Sequence, residues 1–201
     1  MSQARSLTLG SSIWNLSGGN QYVWDVTGSN MTVNGGTSTI NLTGSNTQFR
    51  GLNQPYYDLN FTQVSSNSLL LNSPGATFHN VSFAGGCSIS GSHTFNNLTL
   101  GTSKATSMGG TQTINGSFTC NGTCAIPASL TGGTISKPSG SIIINAVNLQ
   151  NSIASGGATY IANNSTDFGG NIGWMINSST SQTLYWIGNG GNWTDSNHWS
   201  L

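Results

Sequence analysis

The acids of this chain are Asp25, Asp58, Asp167 and Asp195, with no Glu beside them. Cleavage of a glycosidic bond needs a carboxylic acid paired with a second carboxylate as base or nucleophile, held a few ångströms apart. The closest two of the four in sequence, Asp167 and Asp195, are separated by twenty-eight positions, and each acid sits in a different context. Asp25 follows Trp24, Asp58 lies in a repeated phrase, and the other two fall in Gly/Asn-rich stretches. They read as turn or capping residues, so no catalytic residue is assigned and the chain is not expected to be an enzyme. His79, His93 and His198 match no zinc spacing and are expected at exposed polar positions. The sequence implies no metal and no cofactor. Cys120 and Cys124, in "CNGTC", read either as core residues or as a small disulfide loop that leaves Cys87 over.

Two further groups carry binding chemistry. Tyr185, Trp186, Trp193 and Trp199 crowd the last seventeen residues. Flat rings pair with the apolar faces of sugars, so these four are candidate glycan contacts, and they serve equally as the core of a small module. The triplet Asn-x-Ser/Thr occurs twelve times. Asn41, Asn60, Asn80 and Asn97 are candidate glycosylation sites among them, although alternation in an Asn-rich chain produces such triplets by itself.

Composition narrows the function classes. Only 4% of residues are charged, against about 25% in ordinary soluble domains. Ser (31), Thr (24) and Asn (25) supply the polarity instead, giving a surface that hydrates without charge and is nearly indifferent to pH and salt. Net charge is zero, so no basic field collects phosphates and nucleic acid is not an expected partner. No apolar run reaches the roughly 18–20 residues of a membrane span. With 35% hydrophobic residues the chain has enough apolar groups to pack. An extracellular setting, on a virion or a cell surface, fits this composition best.

The elements that must position these residues are strands. Apolar residues alternate in "MTVNGGTSTINLTG", "SLLLNS", "CSISGSHTFNNLTL", "TQTINGSFTC" and "SIIINAVNLQNS", in runs of about three to six bounded by Gly, Asn, Ser or Pro. Three phrases repeat: "PYYDLNF" (55–61), "TFHNVSF" (77–83) and "TFNNLTL" (94–100). Aligned, they place Tyr56, Phe78 and Phe95 in one column and Leu59, Val81 and Leu98 in a second. Phe61, Phe83 and Leu100 form a third, and Asp58, Asn80 and Asn97 a fourth. Self-similarity near twenty residues marks coils that cannot bury their apolar faces alone and are completed by their neighbours. In parallel stacking the fourth column would bond side chain to side chain at the strand spacing of about 4.8 Å. Asn-Gly pairs at 115–116 and 121–122 signal hairpins of an alternative antiparallel β-sandwich array, or equally the positive-φ corners of a solenoid.

The phrases "TFHNVSF" and "TFNNLTL", the run from Gly133 to Trp174 and the tail "YWIGNGGNWTDSNHWS" together resemble the parallel β-helix repeat proteins of phage virion fibres and large bacterial surface proteins. The resemblance covers roughly 30–176. It implies an extracellular fibre and names no ligand. The expected fold is an all-β, right-handed parallel β-helix (β-solenoid) of about eight to ten coils, roughly 40–48 Å long. Residues 1–30 are a cap or earlier coils, 31–176 the solenoid, 177–184 a Ser/Thr linker, and 185–201 the start of a truncated Trp-rich module. The expected role is structural and adhesive. The partners it implies are cell-surface polysaccharide or glycan, and further copies of the chain. A carbohydrate-active enzyme and a self-assembling filament are the alternatives.

Overall fold

A computed structural model describes residues 4–20, 22–27, 30–65, 67–71, 75–179 and 185–200. The chain forms an all-β parallel solenoid of about seven coils. Two long sheets run the length of the stack, one of nine strands and one of eight, with all pairing in them parallel and each strand inside the stacked order paired with the coil before and the coil after. Parallel pairing throughout the stack rules out the antiparallel sandwich. A third, three-stranded sheet, Ser141–Asn145, Thr159–Asn163 and Met175–Asn177, gives the last coils a third side.

The coil number falls below the expected eight to ten because the repeat does not use all of the chain. In the long sheets eight strands follow one another in register, which is seven spacings, or about 34 Å. The first thirty residues contribute three strands to the stack. Arg5–Thr8 pairs with Met31–Asn34, Ile13–Leu16 with Thr39–Leu42, and Tyr22–Asp25 with Gln48–Arg50. At the other end, Tyr185–Trp186 and Trp199–Ser200 make a separate antiparallel pair. Most of the expected linker, 180–184, lies outside the described residues.

All four columns form as the repeated phrases require. Tyr56 pairs with Phe78 and Phe78 with Phe95, and their rings stack with centroids 5.5 Å apart at each step. Phe61 and Phe83 stack at 4.3 Å. Leu59, Val81 and Leu98 are fully buried between them. In the polar column Asn80 donates to Asp58 (2.7 Å), Asn97 donates to Asn80 (2.8 Å), and Asn97 Oδ1 accepts from Ser117. A parallel ladder runs two residues away, where Asn41 donates to Asn15, Asn60 to Asn41 and Ser82 to Asn60. Each amide has one donor side and one acceptor side, so a column of identical residues satisfies itself.

The corners are made differently from expectation. Left-handed backbone occurs at Asn20, Asn46, Asn151 and Asn164, at Leu52, Ser103 and Ala146, and at glycines such as Gly36, Gly91 and Gly110, but not at the Asn-Gly pairs 115–116 and 121–122. Asn tolerates this conformation better than most residues. Gly116 and Gly122 instead allow close approach of coils. A Cβ on Gly116 would lie 2.5 Å from Asn97 Oδ1, and one on Gly122 2.4 Å from Ala146 O.

Asn80→Ala removes the central rung of a ladder and leaves half-buried partners on both sides, so it should lower unfolding stability by about 2 kcal/mol. Thr99→Ala, at an exposed position on the neighbouring coil, should change it by less than about 0.5 kcal/mol. Denaturant unfolding of the two variants beside the parent checks both values.

Candidate functional site

The phrase at 55–61 breaks its alternation once. Tyr56, Leu59 and Phe61 are buried while Tyr57 and Asp58, side by side, both lie at the half-buried surface. The same break recurs at His79–Asn80 and Asn96–Asn97. Strand pairing is present on either side of Tyr57, His79 and Asn96 but skips those positions. Stacked breaks therefore produce two outward columns where a regular strand has one. One is the self-bonded ladder of Asp58, Asn80 and Asn97. The other, Tyr57, His79, Asn96 and then Asn115, borders an open groove of about 460 Å³.

Within the groove the Tyr57 and His79 rings stack face to face, 4.1 Å apart and 11° from parallel. His79 Nδ1 lies 3.0 Å from the Asn80 amide nitrogen and 3.5 Å from Asp58 Oδ1. An amide nitrogen is only a donor, so the pairing makes Nδ1 the acceptor and places the imidazole proton on Nε2. The groove was not legible from the sequence, although Tyr57, His79 and Asn96 occupy one position of the three aligned phrases. Their dissimilarity hid the column.

The four acids lie apart and each has local work. Burial pushes the Asp25 carboxyl up, but hydrogen bonds from Thr27 and the Arg50 charge, 3.4 Å away, outweigh it and hold the group below 3.8. Asp167 accepts from Gly169 N and Asn171, and Asp195 from Asn197. Among the described residues no three of His, Cys, Asp and Glu gather as a metal site would need. Cys87 and Cys120 are buried, and burial pushes both thiols up to about 12, which keeps them protonated. Cys124 is exposed, and all three are free thiols in the structure.

His93 departs from the expected exposed position. It is 2% exposed, packed between Phe78 and Phe95. Its Nδ1 accepts from Ala76 N (3.3 Å), which leaves Nε2–H to donate to Ser90 O (3.0 Å). The ring ties up two backbone groups at a corner, a role that spacing in sequence could not reveal.

In the tail Trp186 is stacked on Trp193 (5.8 Å) and on His198 (4.8 Å), and meets Trp199 edge-on. Trp199 Nε1 donates to Trp193 O. Three of the four candidate aromatics, Trp186, Trp193 and Trp199, thus come together as a cluster, with Trp193 73% exposed; Tyr185, 63% exposed, is next to Trp186 in sequence. The candidate sequons share a different property: the amide nitrogens of Asn41, Asn60, Asn80 and Asn97 each donate to the next coil. Comparison with protein-family models, curated proteins and solved structures finds no match to this chain.

Two measurements follow. Burial holds the His93 pKa below its ordinary 6.5, despite its bond to Ser90 O. The unfolded chain therefore binds the proton first on acidification. The stability that depends on a neutral ring is complete above about pH 7 and is lost as pH falls through 6.5, by up to about 1.4 kcal/mol per pH unit. Melting temperatures between pH 7.5 and 5 should show this slope, and His93→Asn should flatten it. Second, chain secreted from a glycosylating eukaryotic host should carry no glycan on the four ladder residues, because a sugar on the amide nitrogen displaces the coil above. Peptide mapping by mass checks each residue.

Proposed function

We propose that this chain is a non-enzymatic, structural segment of an extracellular fibre, part of a phage tail-fibre-like virion protein or of a bacterial surface protein. The observation that carries this reading is the stack itself. About seven coils repeat in register, with side-chain amide ladders running along the outside and an aromatic column along the inside. Every inner coil is bonded to both neighbours, so bending must break bonds in several sheets at once. Such a rod holds whatever it carries at a fixed distance from its anchor. The scarcity of charge suits water of uncontrolled salt and pH. The exposed rings of Tyr185 and Trp193 are suited to contact glycans on the target surface. The enzyme alternative needs paired carboxylates, and the local partners of each Asp support the structural reading over it.

One observation favours self-association as a second property. The outermost strands Thr166–Asp167 at one end and Ile13–Leu16 and Tyr22–Asp25 at the other each pair on one side only among the described residues, while Ile153–Ser155 is covered on its outer side only by a single parallel bridge to Ile172. Open parallel edges accept another strand, and Phe168, Ile172 and Met175 lie exposed in the last coil.

Immunogold labelling with antibody against the purified chain should decorate appendages projecting from virions or cells of the source. Label confined to the cell interior overturns the reading. So does release of reducing ends from host polysaccharide by the chain, if it is abolished by substitution of a single Asp.

A further inference from the structure

We infer that the groove beside Tyr57 and His79 binds a neutral oligosaccharide laid along the solenoid axis, an assignment that rests on the extracellular-fibre reading. The groove runs from the coil of Gly35 to that of Asn115, four inter-coil steps or about 19 Å, the extent of a short glycan strand rather than a single sugar. Its surface is mixed in the way sugars require. The stacked Tyr57 and His79 rings supply an aromatic wall, and the His79 side chain is 41% exposed.

The wall is left open by the coil above. Gly35 and Gly36 line the groove there, and neither position accepts a side chain. A Cβ on Gly35 would lie 2.7 Å from Pro55 O. Gly36 has φ +56, and its Cβ would lie 2.3 Å from Gly10 O. Close packing of the coils thus keeps the space beside the Tyr57 ring empty, and a flat apolar sugar face fits such a space.

The polar groups are equally specific. Ladder amides bond to one another, but among the described residues no protein group takes the side-chain amides of Asn34, Asn96 and Asn115 at the groove. Each amide offers two donors and an acceptor, the pattern that reads vicinal hydroxyls. His79 adds an Nε2–H donor, because Asn80 occupies Nδ1. Charge selects the sugar class. No Lys, Arg, Asp or Glu lines the groove, and the nearest carboxylate in contact with the wall is Asp58, 3.5 Å from His79. The cation nearest its Asn115 end, Lys137, is buried and spent on Asn115 O and Gly116 O, so an acidic saccharide would find no lining cation and one repulsive neighbour, whereas a neutral one loses nothing.

The test is calorimetric titration of the whole chain with cellohexaose, xylohexaose, mannohexaose, maltohexaose and chitohexaose, and with hexagalacturonate as the anionic comparator. At least one neutral hexasaccharide should bind. Tyr57→Ala should weaken that binding by about tenfold through loss of one ring face, and Trp193→Ala should leave it unchanged. Should Tyr57→Ala fail to fold, the exposed Asn115→Ala should weaken binding by about threefold with an unchanged melting temperature. Absence of binding to all five neutral sugars, tighter binding of hexagalacturonate, or full affinity in a folded Tyr57 or Asn115 variant overturns the assignment. Binding lost in Trp193→Ala but kept in Tyr57→Ala moves the glycan contact to the tail and leaves the fibre reading intact. Interior immunogold label together with groove binding does the reverse.

Discussion

Parallel coils at one strand spacing force each outward or inward side chain to sit directly on its counterpart in the next coil, and the rest of the molecule follows from that constraint. A residue type is tolerated in a column only if it packs or bonds well with itself. Phe and Tyr do, by stacking at 5.5 Å in one column and 4.3 Å in another. Leu, Val and Ile do, by interdigitating where water is excluded. Asn does, because one amide carries both a donor and an acceptor. A core of aromatic and aliphatic columns inside amide ladders is what this rule leaves.

The same rule decides how far the fold was legible in the sequence. Where like sits on like, repetition in space is repetition in sequence, so the phrases at 55, 77 and 94 gave the register of three coils and the direction of the Asp58, Asn80 and Asn97 bonds. Where unlike residues share a column, the signal disappears. Tyr57, His79 and Asn96 are stacked neighbours with no chemistry in common, and the groove they border left no pattern to read. His93 was misplaced for a related reason: its role is to serve Ala76 N and Ser90 O at a corner, and backbone groups have no letter in the sequence. Corners were half legible. Positive φ was anticipated, but it falls on lone Asn residues, on Leu52, Ser103 and Ala146 and on other glycines, while Gly116 and Gly122 serve close approach between coils.

Both ends show how aromatic residues finish a stack. Near the first coils Trp24 lies over Phe49 and donates to Tyr56 Oη, which in turn donates to Gly51 O. Near the last, Trp174 meets Tyr160 edge-on, and Tyr160 Oη accepts from Lys137 N and donates to Ser155 O. In each case a Tyr closes the corner five residues before it and a Trp covers the Tyr. Tyr suits that position because its ring belongs to the core and its hydroxyl to the backbone.

The low charge of this chain is then as much a consequence of stacking as of surroundings. Two like charges one strand spacing apart repel by about 1 kcal/mol in water and about 3–4 kcal/mol near a protein surface, and a column of them multiplies the cost. Charge is admissible only in opposite pairs or where a column stops. Asp25 sits in register with Arg50, an opposite pair across one spacing. Asp58 ends its Asn ladder, since the strand above places Thr39 in that position. Lys137 lies past the end of the groove column and donates to Asn115 O and Gly116 O, satisfying carbonyls beside the last amide. Asp167 lies in the outermost strand of its sheet. Each of these charges either faces its opposite across one spacing or occupies a place where a column stops, which is why so few of them fit in a chain built almost wholly of repeat.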